Sequence, residues 1–217
     1  MRIRGPQGTR GRSPAATLLE LIIVMALMGL LLGAVGYMMR YAHDYYFGTL
    51  ESLDLQQQSL FGISRLSGDL TDSNFTTVRR YDDPLPTDPP GRPNSGLVVP
   101  SPRDLAGAYQ FDDAGRIKWT TFVCYYVENI PGGRKALVKK VTPVPSGPQL
   151  SPPDPDLEGR DLAYFKGSPD PKQIIATGVT RFETTLNADT ITTLINSRVS
   201  GHYEFELETQ TTILPRN

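Results

Sequence analysis

The chain has 217 residues, 39% of them hydrophobic, enough for one globular domain of ordinary size plus an additional element. Its 22 basic and 23 acidic side chains give a net charge of -1, and outside the extreme N-terminus there is no basic cluster, so no direct nucleic-acid binding is expected. The single cysteine, Cys124, cannot close an intramolecular disulfide; stability must come from a packed core, in which Cys124 reads as a buried strand residue.

Residues 1–15 carry Arg2, Arg4, Arg10 and Arg12 and no acid, and such a flank holds the N-terminal end on the cytoplasmic side of a membrane. Leu21 to Met39 then carry no charge over 19 residues. At about 1.5 Å rise per residue this run matches the ~30 Å hydrocarbon thickness of a bilayer. It also exceeds the roughly 7 to 15 residues of a cleaved signal core, although "AVGY" at 34–37 offers a small-residue cut site. One acid, Glu20, stands at the start of the run. An ionised carboxylate near hydrocarbon is costly, so Glu20 requires either a cationic partner or a position at the interface near the positive end of a helix. Gly29 and Gly33 form a G-x-x-x-G pair, with Ala26 and Gly36 on the same face, which permits close approach of another helix.

Of the 19 prolines, two precede Ala15 and seventeen follow Asp83, so one helix from about Thr17 to about Asp72 is allowed. A short anchor and a separate helix broken near Gly48 is the alternative. In the second half, 40–72, Leu50, Leu53, Leu60, Ile63, Leu66 and Leu70 recur at helical spacing, with Gln56, Gln57, Gln58, Arg65 and Asp69 as the polar positions between them.

Residues 84–102 contain seven prolines and residues 143–155 six, and both read as loops. Between them "RIKWTTFVCYYVENI" at 116–130 alternates: Ile117, Trp119, Val123, Tyr125 and Val127 on one face, Phe122, Cys124 and Tyr126 on the other. "PGG" at 131–133 turns the chain into "ALVKKVTPV" as a hairpin, and "GVTRFETTL" and "HYEFELETQTTIL" read as further strands. Asp112 to Gly115 reads as a hairpin turn. The fold class expected is α+β, with the helix lying across one face of an antiparallel sheet in the region 73–217.

Chemistry-bearing patterns are sparse. His43 and His202 sit in no metal-ligand spacing, and there is no nucleophile elbow, phosphate loop or dinucleotide fingerprint. "DPDLEG" at 154–159 opens like a calcium loop, but its twelfth position is Phe165 in place of the bidentate glutamate, which favours a solvated acidic loop. No catalytic, cofactor or metal site is expected.

The stretch "ATLLELIIVMALMGLL", Ala16 to Leu31, resembles the processing and assembly segment of type IV pilins and type II secretion pseudopilins, with Thr17, Leu18, Leu19 and Glu20 in the family's T-L-L-E. The resemblance implies a pilin-like fold: a leader at 1–15, a transmembrane and assembly helix at 16–39 continuing through 40–72, and a periplasmic or extracellular domain at 73–217. It implies cleavage by prepilin peptidase between Ala15 and Ala16, N-methylation of Ala16, and a role for Glu20 in setting axial register between subunits by pairing with a neighbour's N-terminal amine. Ala15 stands where the family has glycine, Ala16 where it has phenylalanine, and Tyr37 where major pilins often carry proline. The last difference leans towards a minor subunit. More loosely, "ISRLSGDLTDSNF", "YYV", "GVTRFE" and an end at Arg216-Asn217 resemble J-type minor pseudopilins and W-type minor pilins.

The leading expectation is therefore a non-catalytic subunit of a type II secretion pseudopilus or type IV pilus. Its partners would be prepilin peptidase, other pilin-like subunits and inner-membrane lipid before assembly. It would cross the inner membrane once, with its C-terminal domain outside, and then enter the pilus. The competing expectation is a secreted or anchored binding or enzymatic domain with an ordinary signal sequence.

Overall fold

A computed structural model describes residues 14–85, 93–187, 190–199 and 205–214. The chain divides into two compact units, Met1–Gly48 and Thr49–Asn217. Helix α1, Pro14–Thr71, is a single 58-residue helix that belongs to both, without the break considered near Gly48. It starts three residues earlier than the sequence suggests because Pro14 takes the first helical position, where a missing N–H costs nothing. Its last carbonyls are closed by Ser73, whose Oγ donates to the Leu70 carbonyl at 2.7 Å.

In the second unit the strands are β1 (Arg79–Asp83), β2 (Asn94–Ser101), β3 (Gln110–Phe111), β4 (Ile117–Lys118), β5 (Thr121–Ile130), β6 (Arg134–Pro143), β7 (Lys172–Thr177), β8 (Val179–Leu186), β9 (Ile191–Val199) and β10 (Phe205–Ile213), with a short helix α2 (Leu162–Gly167) before β7. They form a five-stranded sheet in the order β1-β2-β5-β6-β7, a three-stranded sheet β10-β9-β8 and a two-stranded hairpin β3-β4. All pairs are antiparallel. The class is α+β, but two sheets rather than one share the helix.

The sheets are stitched by side chains. Asn94 Oδ1 accepts from the Phe182 N–H at 2.8 Å and Ser95 Oγ from the Thr184 N–H at 3.3 Å, so β2 satisfies the outward backbone of β8. Between β7 and β8 the chain changes sheets at Gly178, whose φ of +71° suits glycine. The "PGG" turn at 131–133 closes the β5–β6 hairpin with Gly132 at φ +91° and Gly133 at +75°. Asp112 likewise closes β3–β4, accepting from the Ala114 and Arg116 N–H groups at 2.9 and 2.7 Å.

β5 alternates as expected. Val123, Tyr125 and Val127 join the core shared by both sheets and α1, while Phe122, Cys124 and Tyr126 join a second core under α2. The alternation does not extend back to Ile117 and Trp119. The strand is interrupted there, with Ile117 in the hairpin opposite Phe111 and Trp119 bridged to Gln149.

Three sequence readings are corrected. The expected loop at 84–102 contains β2, buried along its whole length. Its apolar "GLVV" run outweighs the flanking prolines, and Pro100 is tolerated because the β1 ladder ends at Val98, leaving only β5 to pair there. Of the expected helix row, Leu66 and Leu70 are buried and Ile63 packs against the core, but Leu50, Leu53 and Leu60 are 42, 47 and 62% exposed. The buried stripe runs through Leu55, Ser59, Gly62, Leu66 and Asp69, spaced by three and four, with Leu70 one turn beyond Leu66; Leu66 and Leu70 are fully buried. Gly62 marks the closest crossing: a Cβ there would lie 3.5 Å from Ile175 and 3.8 Å from Ile195 and Leu137. Asp69, read as a solvent-facing position, is buried and accepts from Tyr125 Oη and Lys139 Nζ, both at 2.5 Å. His202, Arg216, Asn217 and most of the leader lie outside the described residues, as does the middle of the proline-rich stretch 84–102.

Candidate assembly segment

The first unit contains the segment that sequence reading singles out. Every residue from Leu18 to Met39 is exposed, and this part of α1 is long and apolar enough to cross a membrane. Helix formation there follows from composition: no proline between Ala15 and Asp83, and a dense run of leucine, methionine and alanine. Exposure of so much apolar surface is unstable in water, and the segment needs lipid or other protein around it.

Ala15 and Ala16 lie in the first turn of α1, and Glu20 follows one turn after Ala16. Glu20 is exposed. It sits at the beginning of the uncharged run, so in a bilayer its carboxylate would lie near a boundary and not at the centre, where insertion cost is greatest. Gly29 and Gly33 lie one turn apart, and an added Cβ would meet nothing within 4 Å at either position or at Gly36. With Ala26 on the same face they make a smooth stripe, and no described residue fills the space beside the three glycines.

In the second unit, the residues that fix the lower helix are polar and were hidden from sequence reading. Gln58 Oε1 accepts from both the N–H and the Oγ1 of Thr177 at 2.8 Å, and Ser59 Oγ lies 3.1 Å from Ser197 Oγ. Asp69 receives the Tyr125 hydroxyl and the Lys139 ammonium; burial, with the Asp69 charge beside it, pushes the Tyr125 phenol well above its ordinary value. These partners are 56 to 138 residues apart in sequence, so no local pattern reveals them.

The loop at 154–159 is occupied by protein partners. Asp154 and Asp156 both engage Arg79, and Asp156 also accepts from Tyr81 Oη at 2.8 Å. Among the described residues no group of three or more His, Cys, Asp or Glu is placed to hold a metal ion. His43 packs its ring against Phe47, with centroids 4.5 Å apart.

No protein-family model matches the chain, and neither a curated protein nor a solved structure matches it. The architecture therefore rests on the chain itself. A long N-terminal apolar helix that continues into a segment packed on antiparallel sheets is consistent with a pilin-like architecture, and its membrane-capable N-terminal part points to membrane anchoring or secretion.

Proposed function

We propose that this chain is a non-catalytic structural subunit, a minor pseudopilin or minor pilin of a type II secretion pseudopilus or type IV pilus. In this reading it is inserted once in the inner membrane with residues 73–217 outside, cut by prepilin peptidase between Ala15 and Ala16, methylated on Ala16, and drawn into a filament of similar subunits. The observation that carries it is the coincidence of three features on one helix: an exposed apolar run from Leu21 to Met39, a single acid at its start, and an exposed small-residue stripe at Ala26, Gly29, Gly33 and Gly36 that no described residue covers.

The physical role of each part follows. Lipid holds the exposed run before assembly, and neighbouring helices replace lipid afterwards. A freed Ala16 amine is mostly protonated at neutral pH, with a reference pKa of about 7.7 to 8.0, and is the natural counter-charge for a neighbour's Glu20 once both leave water. Because a carboxylate and an amine pair only at one axial offset, the pair fixes subunit register.

Glu20→Ala tests this in the native host. The substitution leaves the protein expressed and membrane-inserted but removes it from sheared or cross-linked filament fractions. Normal incorporation of Glu20→Ala would contradict the assignment of Glu20 to register.

A further inference from the structure

Directly after the apolar run, five aromatic rings fall within eleven residues: Tyr37, Tyr41, Tyr45, Tyr46 and Phe47, exposed by 75, 58, 63, 60 and 50%. All five stay exposed, with Phe47 in ring contact with His43 and Tyr46 at 4.5 and 5.7 Å. Tyr37, Tyr41 and Tyr45 are spaced by four, so on a helix with about 100° per residue each stands roughly 40° around from the last, forming one ladder about 12 Å long. Arg40 falls on a flank about 60° round from Tyr37, while Asp44, seven residues after Tyr37, lies about 20° from it, at the edge of the ladder near its Tyr45 end.

We propose that Tyr37, Tyr41 and Tyr45 form a depth gauge that seats in the interfacial zone of the bilayer, among the glycerol, ester and headgroup atoms of phospholipid. The proposal rests on the reading of Leu21–Met39 as a span. The interfacial layer on each side of a bilayer is about 5 to 7 Å thick, the difference between a ~30 Å core and a total of ~40 to 45 Å. A ladder of about 12 Å, centred on Tyr41, reaches from the last of the hydrocarbon at Tyr37, across that layer, to its aqueous edge at Tyr45. Tyrosine suits such a place because its ring is apolar and its hydroxyl seeks polar atoms.

The position of the ladder has a consequence at the other end of the helix. Glu20 and Tyr41 are 21 residues apart, roughly 32 Å at helical rise, close to one hydrocarbon thickness. Seating Tyr41 in one interface thereby holds Glu20, and the Ala15-Ala16 junction a turn before it, at the opposite one. The tyrosines thus fix the depth at which the junction is presented for processing.

The test uses the full chain with Cys124→Ala, carrying a nitroxide on Leu30→Cys, Tyr37→Cys, Tyr41→Cys or Tyr45→Cys, in phosphatidylcholine–phosphatidylglycerol vesicles. Depth is read from relative accessibility to oxygen and to a water-soluble nickel complex. The expected result is a deep Leu30→Cys label and ladder labels that rise towards water in steps of about 6 Å. Replacing all three tyrosines with alanine in the Leu30→Cys chain is expected to shift that label by about 3 Å, two residues of rise. A deep Leu30→Cys label with ladder labels equally open to nickel, or a label that does not move in the triple alanine variant, would overturn the depth gauge and leave the span intact. A shallow Leu30→Cys label would remove the span and the gauge together. Shielding of the ladder that vanishes on dilution with lipid would assign the rings to a neighbouring subunit and overturn the proposal.

Discussion

Replacing Asp69 with alanine probes how the lower half of α1 is held to its sheets. Asp69 is buried and Lys139 largely so, with side chains 11 and 12% exposed, and the carboxylate accepts from both Lys139 Nζ and Tyr125 Oη at 2.5 Å. Removing it leaves a buried ammonium and a buried phenol without their common acceptor. Breaking a buried pair in this way costs about 3 to 5 kcal/mol. For a domain of this size each kcal/mol lowers the melting midpoint by about 2 to 4 °C, so the expected drop is roughly 6 to 20 °C. Asp69→Asn keeps an acceptor for Tyr125 but no counter-charge, and should fall between the alanine variant and the parent. Combining Asp69→Leu with Lys139→Met removes both charges and should cost far less than the two single changes added, because neither charge is left unpaired and only the Tyr125 hydroxyl loses its acceptor. The assay is urea unfolding of the full chain in detergent, followed by fluorescence of Trp119, the only tryptophan. A loss below about 1 kcal/mol for Asp69→Ala, the level of a surface pair, would refute the reasoning, as would strict additivity in the double variant.

Packing on the opposite face of the five-stranded sheet gives a second prediction. A Cβ on Gly96 would come within 2.5 and 2.6 Å of the two methyls of Leu162 and 3.1 Å of its Cγ. Gly96→Ala should cost about 1 to 3 kcal/mol by overpacking, and Leu162→Ala in the same chain should recover part of it; equal stability of Gly96→Ala and parent in urea would contradict the close approach. Burial sets the response to alkali. It raises the Cys124 thiol above its ordinary value near 9 and pushes the Tyr126 phenol up to about 12. Above about pH 9 the unfolded chain loses protons that the folded chain keeps, so stability is complete below that pH and falls as pH rises towards 12, by at most ~1.4 kcal/mol per pH unit for each group. Urea midpoints between pH 8 and 11 should decline, and Cys124→Ala should flatten the first part of the decline; an unchanged slope in that variant would remove Cys124 from the account.

What sequence reading recovered was local. The "PGG" and Asp112 turns were legible because glycine and aspartate impose their own backbone geometry, and the long apolar helix was legible because its length and composition need no tertiary context. What it missed was decided at a distance. Two helical registers were both written into residues 49–71, one through Leu50, Leu53 and Leu60 and one through Leu55, Ser59 and Gly62, and they share Leu66 and Leu70. Only contact with Leu137, Ile175 and Ile195 selects the second. β2 was masked by prolines near both its ends, one of which, Pro100, pairs with Phe122 inside the strand, and β9 by a run in which buried Ile191 and Ile195 alternate with buried Thr193 and Ser197, a weak hydrophobic signal. Asp69 looked solvent-facing because nothing near it in sequence announces Tyr125 or Lys139.

The central claim is that the exposed N-terminal helix belongs to a processed, assembling subunit. The measurement that tests it most directly is the intact mass and N-terminal sequence of the protein extracted from membranes of its native host. The account predicts a chain that begins at a methylated Ala16 and retains Glu20 as its fifth residue. A soluble product starting near Tyr37, or membrane-bound material that still carries Met1, would contradict it.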